Sequence, residues 1–447
     1  MWLFCTLFTI VAMIIGCSEQ VENSISEYET GLELVVNPLP DFSAEENLTD
    51  SDEQATNAMI EYSVGSESTA SPILISVSEG HSMVIMPDGS LWAWGWNYFG
   101  ELGDGTTYNR SAPVQIGTDT DWASVVAGAG FTVALKSDGS LWAWGASWDD
   151  IINRNLGPTA YRITAPEQIG TDTDWAHITA GLDYVVIIKN DGSLWAWGRN
   201  TGGNLGDGTT TDRYMPIQIG TDTDWASVTA STNSTHTLAL KTDGSLWAWG
   251  WNGGGQFGDG TSADRYTPRQ TPPVQIGTDT DWAHIVTSGS HTAAIKTDGS
   301  LWTWGSNSDG QLGDGTTDDR FTPAQIGTDT DWVSVVVGGG TTVAIKNDGS
   351  LWAWGMNQAG RLGVGVEGTV SWDDDWEGNL VLTPTQVGTD TDWANVTTGI
   401  GRTVAIKSDG SLWSWGWAGE LQRGFLIGDG KSECRNSPVK ILDGIVP

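Results

Sequence analysis

The chain has 447 residues, with 56 acidic against 20 basic side chains, a formal net charge of −36, and no Lys or Arg before Arg110. A field of that sign repels phosphate, so nucleic acid is excluded as an expected partner. Three cysteines against 27 tryptophans leave stability to aromatic and apolar packing, since at most one disulfide can form.

Residues 3–16, "LFCTLFTIVAMIIG", form an apolar run too short to span a bilayer comfortably, and the run stops at Cys17. Its end, "IIGC", resembles the lipobox of bacterial lipoproteins, although the basic segment that usually precedes such a run is missing. The resemblance implies removal of residues 1–16 and a diacylglycerol on Cys17, with Ser18 compatible with outer-membrane sorting. With Cys5 removed, Cys434 is expected to be a lone thiol. From Ser18 to Pro72 there are 13 acidic residues and no basic one. Residues 17–72 therefore read as a solvated acidic tether that holds a domain off a membrane.

From residue 73 onward the chain repeats itself. The phrase "DGSLWAWG" or a close variant opens at Asp88, Asp138, Asp191, Asp243, Asp298, Asp348 and Asp409, with steps of 50, 53, 52, 55, 50 and 61 residues. A period of that size marks a repeat architecture whose units bury their apolar faces on one another. In the second unit, short apolar runs at Ser124–Ala127, Thr132–Lys136, Leu141–Trp144 and Glu167–Ile169 are separated by Gly, Asp and Ser. That is the pattern of four antiparallel strands, and Asp138-Gly139 predicts a two-residue hairpin turn.

Trp142 and Trp144 lie two apart on a strand and share one face, while Leu141 and Ala143 share the other. Paired indoles on one face and aliphatic groups on the other allow successive sheets to interdigitate. Fourteen tryptophans belong to the seven phrases and six to the recurring "GTDTDW", leaving Trp2, Trp96, Trp148, Trp251, Trp372, Trp376 and Trp417 outside the repeat. Residues 73–447 are thus expected to form an all-β, seven-bladed β-propeller of four-stranded antiparallel blades, with Pro438–Leu442 near the first unit.

The stretches "DGSLWAWGWNYFGELGDGT" (88–106) and "DGSLWTWGSNSDGQLGDGT" (298–316), each followed by a Pro-x-Gln-Ile signature, resemble the repeat of the regulator of chromosome condensation family. The resemblance spans about 375 residues and implies the propeller fold. It also implies that side chains at and beside one ring position, after the first strand of each blade, face a partner. That position reads His81, Phe131, Tyr184, His236, His291, Thr341 and Arg402, with Asp183 beside it. The family's exchange factor uses it against a GTPase, and the mixed residues here put that mechanism in doubt.

Strand alternation places the loops after the first and third strands on one face and the Asp-Gly turns and "TDTD" loops on the other. The long insertions all follow third strands and carry Trp148, Trp372, Asp374, Trp376 and Trp417. Aromatics that a framework does not need resemble the anchors of a binding face. Two carboxylates per "TDTD" loop are too few for a calcium site, so no metal and no cofactor are expected. No nucleophile elbow, HExxH or phosphate-cradling loop with a following Lys occurs, so an enzyme is not expected. The expectation is a monomeric binding protein in a bacterial cell envelope, on the outer membrane or cell surface, that holds a protein or glycan. Guanine-nucleotide exchange is the alternative.

Overall fold

Each Asp-Gly pair starts a hairpin, and a computed structural model shows how. The model describes residues 58–59, 74–146, 162–231, 234–262, 273–365, 380–418, 427–431 and 433–443. Asp138 Oδ1 accepts the N–H of Ser140 at 2.9 Å, and the Lys136 N–H reaches Ser140 O at 3.1 Å. The turn thus has three residues, and Gly139 alone stands in the left-handed region, at φ 77°. This corrects the expected two-residue turn: one left-handed glycine after two ordinary residues is the bulged three-residue loop. A Cβ on Gly139 would lie 2.2 Å from Thr173 O, so the turn is also the point where one blade touches the loop leading into the next.

The second blade comprises Trp122–Ala127, Phe131–Lys136, Leu141–Gly145 and Ile163–Gln168, each antiparallel to its neighbour. Seven such sheets form the ring, and the chain is the all-β seven-bladed propeller that the repeat implies. The fourth strand begins earlier than predicted. Ile163 pairs with Gly145 across a register shift, which lets polar residues join an outer edge strand. The first sheet carries an added strand, Ala58–Met59, beside Leu74–Val77.

The tryptophans fill the seams. Trp122 and Trp144 pack with Met83, Leu91 and Ala93 of the first blade. Leu141 and Ala143, on the opposite face, pack with Trp175 and Trp197 of the third. Trp122 meets Trp142 and Trp144 edge-on, both at 5.9 Å. Two indole N–H groups of this blade have partners: Trp142 Nε1 donates to Ser140 Oγ at 2.9 Å, and Trp144 Nε1 donates across the seam to Glu101 O at 2.9 Å.

The "TDTD" aspartates hold a lysine. Lys136 Nζ lies 2.6 Å from Asp119 and 3.1 Å from Asp121, and 5.0 and 4.8 Å from the Trp122 and Trp142 rings. Lys189, Lys241, Lys296, Lys346 and Lys407 repeat the cage. These carboxylates are therefore occupied by an ammonium held between two rings.

The C-terminal strand, Arg435–Leu442, is the outer strand of the seventh blade. Its Ile441 and Leu442 pack in one cluster with Ile75, Trp92 and Trp94 of the first blade, so the segment closes the ring where expected. The Gly430 N–H donates to Ser111 O of the first blade at 3.0 Å, as Gly105 donates to Thr164 O at 2.7 Å between the first two.

Candidate binding face

The ring position lies inside the seams. His81, Phe131, Tyr184, His236, His291, Thr341 and Arg402 are at most 2% exposed, and most of them bond to the next blade. His81 Nε2–H donates to Thr132 Oγ1 at 2.9 Å, and that hydroxyl donates to Glu101 O at 2.8 Å. His236 and His291 reach Thr287 and Thr342 at 2.7 and 3.2 Å. Tyr184 OH donates to His236 O at 2.5 Å. Phe131 has no polar atom to offer and packs in the seam with Trp197. Arg402 closes the circle, donating to Glu79 O at 2.7 Å and His81 O at 2.8 Å in the first blade. Side chains so placed stitch blades together and present no surface to a partner, which corrects their expected role as partner contacts.

Burial fixes their charge states. Desolvation, with Arg402 nearby, pushes His81 down to about 3, and desolvation takes His236 to about 3 and His291 to about 4. All three imidazoles are therefore neutral at pH 7, which suits one donating and one accepting nitrogen. Asp183, also buried, pairs with Arg199 at 3.4 Å.

Of the expected insertion-loop residues, Trp148, Trp372, Asp374 and Trp376 lie outside the described residues, as does Cys17. Trp417 is half-buried, and its N–H donates to Gly401 O at 2.7 Å. Trp96 and Trp251 occupy the same place in the first and fourth blades and are also half-buried.

Among the described residues, the most exposed aromatics lie outside the repeated tryptophans and the expected site. Tyr98 and Tyr108, 61% and 73% exposed, lie on the loop after the third strand of the first blade, so they share a face with Trp96 and Trp417. The Arg162 guanidinium stacks 4.2 Å from the Tyr98 ring. Other described arginines are committed: Arg110, Arg199, Arg213, Arg320 and Arg435 to aspartates, Arg361 and Arg402 to carbonyls.

Beneath this patch, Glu101 stands where the fourth and fifth blades carry Gln256 and Gln311. Gln256 accepts the Gly254 N–H and donates to Trp251 O, both at 2.9 Å. Glu101 accepts the Phe99 N–H at 2.7 Å but has no amide to donate. Burial pushes its carboxyl up to about 7, against the pull of backbone N–H groups and Arg162. Because the folded state holds this proton more tightly than the unfolded chain, its stabilising effect is complete below pH 4.5 and lost as pH rises through about 7. In urea unfolding across that range, Glu101→Gln is expected to remove up to about 1.4 kcal/mol per pH unit of decline. An unchanged slope would refute the assignment.

The family model described as RCC1-like domain matches residues 153–446, and the model of the regulator of chromosome condensation (RCC1) repeat matches residues 88–135. The chain belongs to the RCC1-like domain family. Among RCC1-like relatives, the Ultraviolet-B receptor UVR8 of Arabidopsis thaliana is 29% identical over 254 residues, 55% of this chain and 57% of that protein. The mitochondrial RCC1 domain-containing protein RUG3 of the same plant is 26% identical over 235 residues, 51% and 52% of the two chains. The chain thus spans about half the length of these relatives. Prp20p of Saccharomyces cerevisiae superimposes with a TM-score of 0.68 at 20% identity, covering 78% of this chain and 85% of that one, which shows the shared RCC1-like fold.

Proposed function

We propose that this propeller is a binding protein, held outside the cytoplasm by a lipid on Cys17, that grips a protein or glycan partner with the face formed by its first-to-second and third-to-fourth strand loops. The observation that carries the reading is a difference between the two faces. The Asp-Gly turns, and the lysine cages of the second to seventh blades, are nearly identical from blade to blade, and framework contacts account for them. The opposite face departs from the repeat and collects Trp96, Tyr98, Tyr108, Trp251 and Trp417, each on a third-to-fourth strand loop. Structural likeness to Prp20p, described for its binding to Gsp1p and histones, is in keeping with a propeller that works by binding. The exchange-factor alternative gains nothing from the ring position, whose side chains are spent between blades.

A photocrosslinking residue at position 417 is expected to capture a discrete partner on intact cells, and the same residue at position 138 is not. Capture from position 138 alone would place the binding face on the wrong side. The anchor is tested by labelled palmitate with external protease. Wild type is expected to be labelled and cleaved on intact cells, and Cys17→Ala to be unlabelled. An unlabelled wild-type protein in the cytosol overturns the anchor.

A further inference from the structure

We infer that Tyr98, Tyr108 and Arg162 form the docking patch of this face, and that its occupant is a loop of a net-basic protein presenting a carboxylate beside an apolar side chain. The inference rests on the binding reading above and names where and what it binds.

Three independent observations converge. First, the repeat supplies its own control. At the places of Tyr98 and Tyr108 the third blade has Thr201 and Thr211, and the fifth has Ser308 and Asp318. Where the second blade has Arg162, the others mentioned have Asn109, Asp212 and Asp319, which accept the loop N–H of Asn97, Asn200 and Asn307 at 2.7–2.9 Å. The framework therefore asks for a short acceptor there, and the second blade holds a long cation instead. Second, the platform is built in advance. The Asn97 N–H bonded to Asn109 Oδ1 at 2.9 Å, and Asn97 Nδ2 donating to Asp104 at 2.9 Å, bring the two ends of the loop together. Tyr98 follows Asn97 and Tyr108 precedes Asn109, so each tyrosine is carried by a residue of this braced closure before anything binds, which lowers the entropy lost on docking. Third, the Arg162 guanidinium stacks over the exposed Tyr98 ring at 4.2 Å, a cation held at the surface of this face, while the other described arginines are committed to aspartates or carbonyls. Tyr and Arg are the residue types that carry binding energy at protein interfaces.

Charge decides between classes of occupant. An acidic polysaccharide or nucleic acid would bring many negative charges toward a chain of net −36, and a lone arginine does not offset that repulsion. A basic protein is steered in by the same field, and its single carboxylate then finds Arg162.

The test uses the full chain on beads against a random peptide display library. Recovered peptides are expected to carry Asp or Glu beside an aromatic or aliphatic residue within a Lys/Arg-rich context. Arg162→Gln should weaken them about tenfold. Changing the peptide's acid to its amide should weaken wild-type binding equally and add nothing in Arg162→Gln. Tyr98→Ser should weaken both peptide forms alike. Peptides that bind the wild type, Arg162→Gln and Tyr98→Ser equally overturn the patch while leaving the binding face intact, and so does a library showing no enrichment over an Arg162→Gln, Tyr98→Ser double variant. An oligouronate that binds these three residues more tightly than any peptide overturns the choice of a protein occupant. Unaltered thermal melts of the variants confine any loss to the surface.

Discussion

Replacing Trp304 with alanine is expected to lower unfolding free energy by about 3–5 kcal/mol, the range for deleting a large buried aromatic. Trp304 is wholly buried, packs with Trp282 of its own blade and with Leu238, Leu246 and Phe257 across the seam between the fourth and fifth blades, and donates to Gln256 O at 2.8 Å. Its removal leaves a cavity that rigid sheets on either side cannot collapse to fill. The neighbouring Trp302 is half-exposed and bonds only within its own turn, to Ser300 Oγ at 2.9 Å, so Trp302→Ala should cost clearly less. Guanidinium unfolding of the two variants checks the ordering. Equal losses would mean that the indoles act as blade-internal ballast and not as the joint between blades.

Arg402→Met should rank next, at about 2–4 kcal/mol. Methionine keeps the length and apolar stem of the side chain but strips the donors from Glu79 O, His81 O and Ser82 Oγ, the last at 3.2 Å. Burial lowers the guanidinium to about 9 despite the nearby Glu79, and it therefore still carries its charge at pH 7, so its loss uncouples a charged clasp from the closing seam. Hydrogen exchange locates the effect. Amides of Leu74–Val77 and Trp393–Thr398 are expected to exchange faster while those of the third and fourth blades stay protected. Uniformly faster exchange around the ring would show that the seam is no weaker a joint than the other six.

Much of this architecture is legible in the sequence, because a phrase used seven times reveals its strand boundaries, its turns and the alternation of Trp142 and Trp144 against Leu141 and Ala143. What stays hidden is which way a single position faces once strands are stacked. The family resemblance makes the position of His81 and Arg402 a partner contact, yet in this ring both side chains turn into the next blade and bond there. Tyr98, Tyr108 and Arg162 are hidden for a different reason. Tryptophan recurs in fixed columns of the repeat, so its exceptions stand out, whereas tyrosine and arginine stand out only against the Thr, Ser, Asn or Asp at the same column of other blades.

One set of bonds between blades, those to the carbonyl beneath each third-to-fourth strand loop, points one way along the chain. Glu101 O waits for Thr132 and Trp144, Gln256 O for Thr292 and Trp304, and Gln311 O for Thr342 and Trp354. On a ribosome each of these blades therefore leaves the exit tunnel with a carbonyl unanswered and an aliphatic face uncovered, and it is completed only when its successor has been synthesised. Assembly is vectorial, and a stall between two blades strands the earlier one half-finished. The first and last blades are the exception. They cannot be completed by elongation at all, and the intact ring has to wait for Arg402 and the outer strand of the seventh blade to find their partners after translation is nearly over.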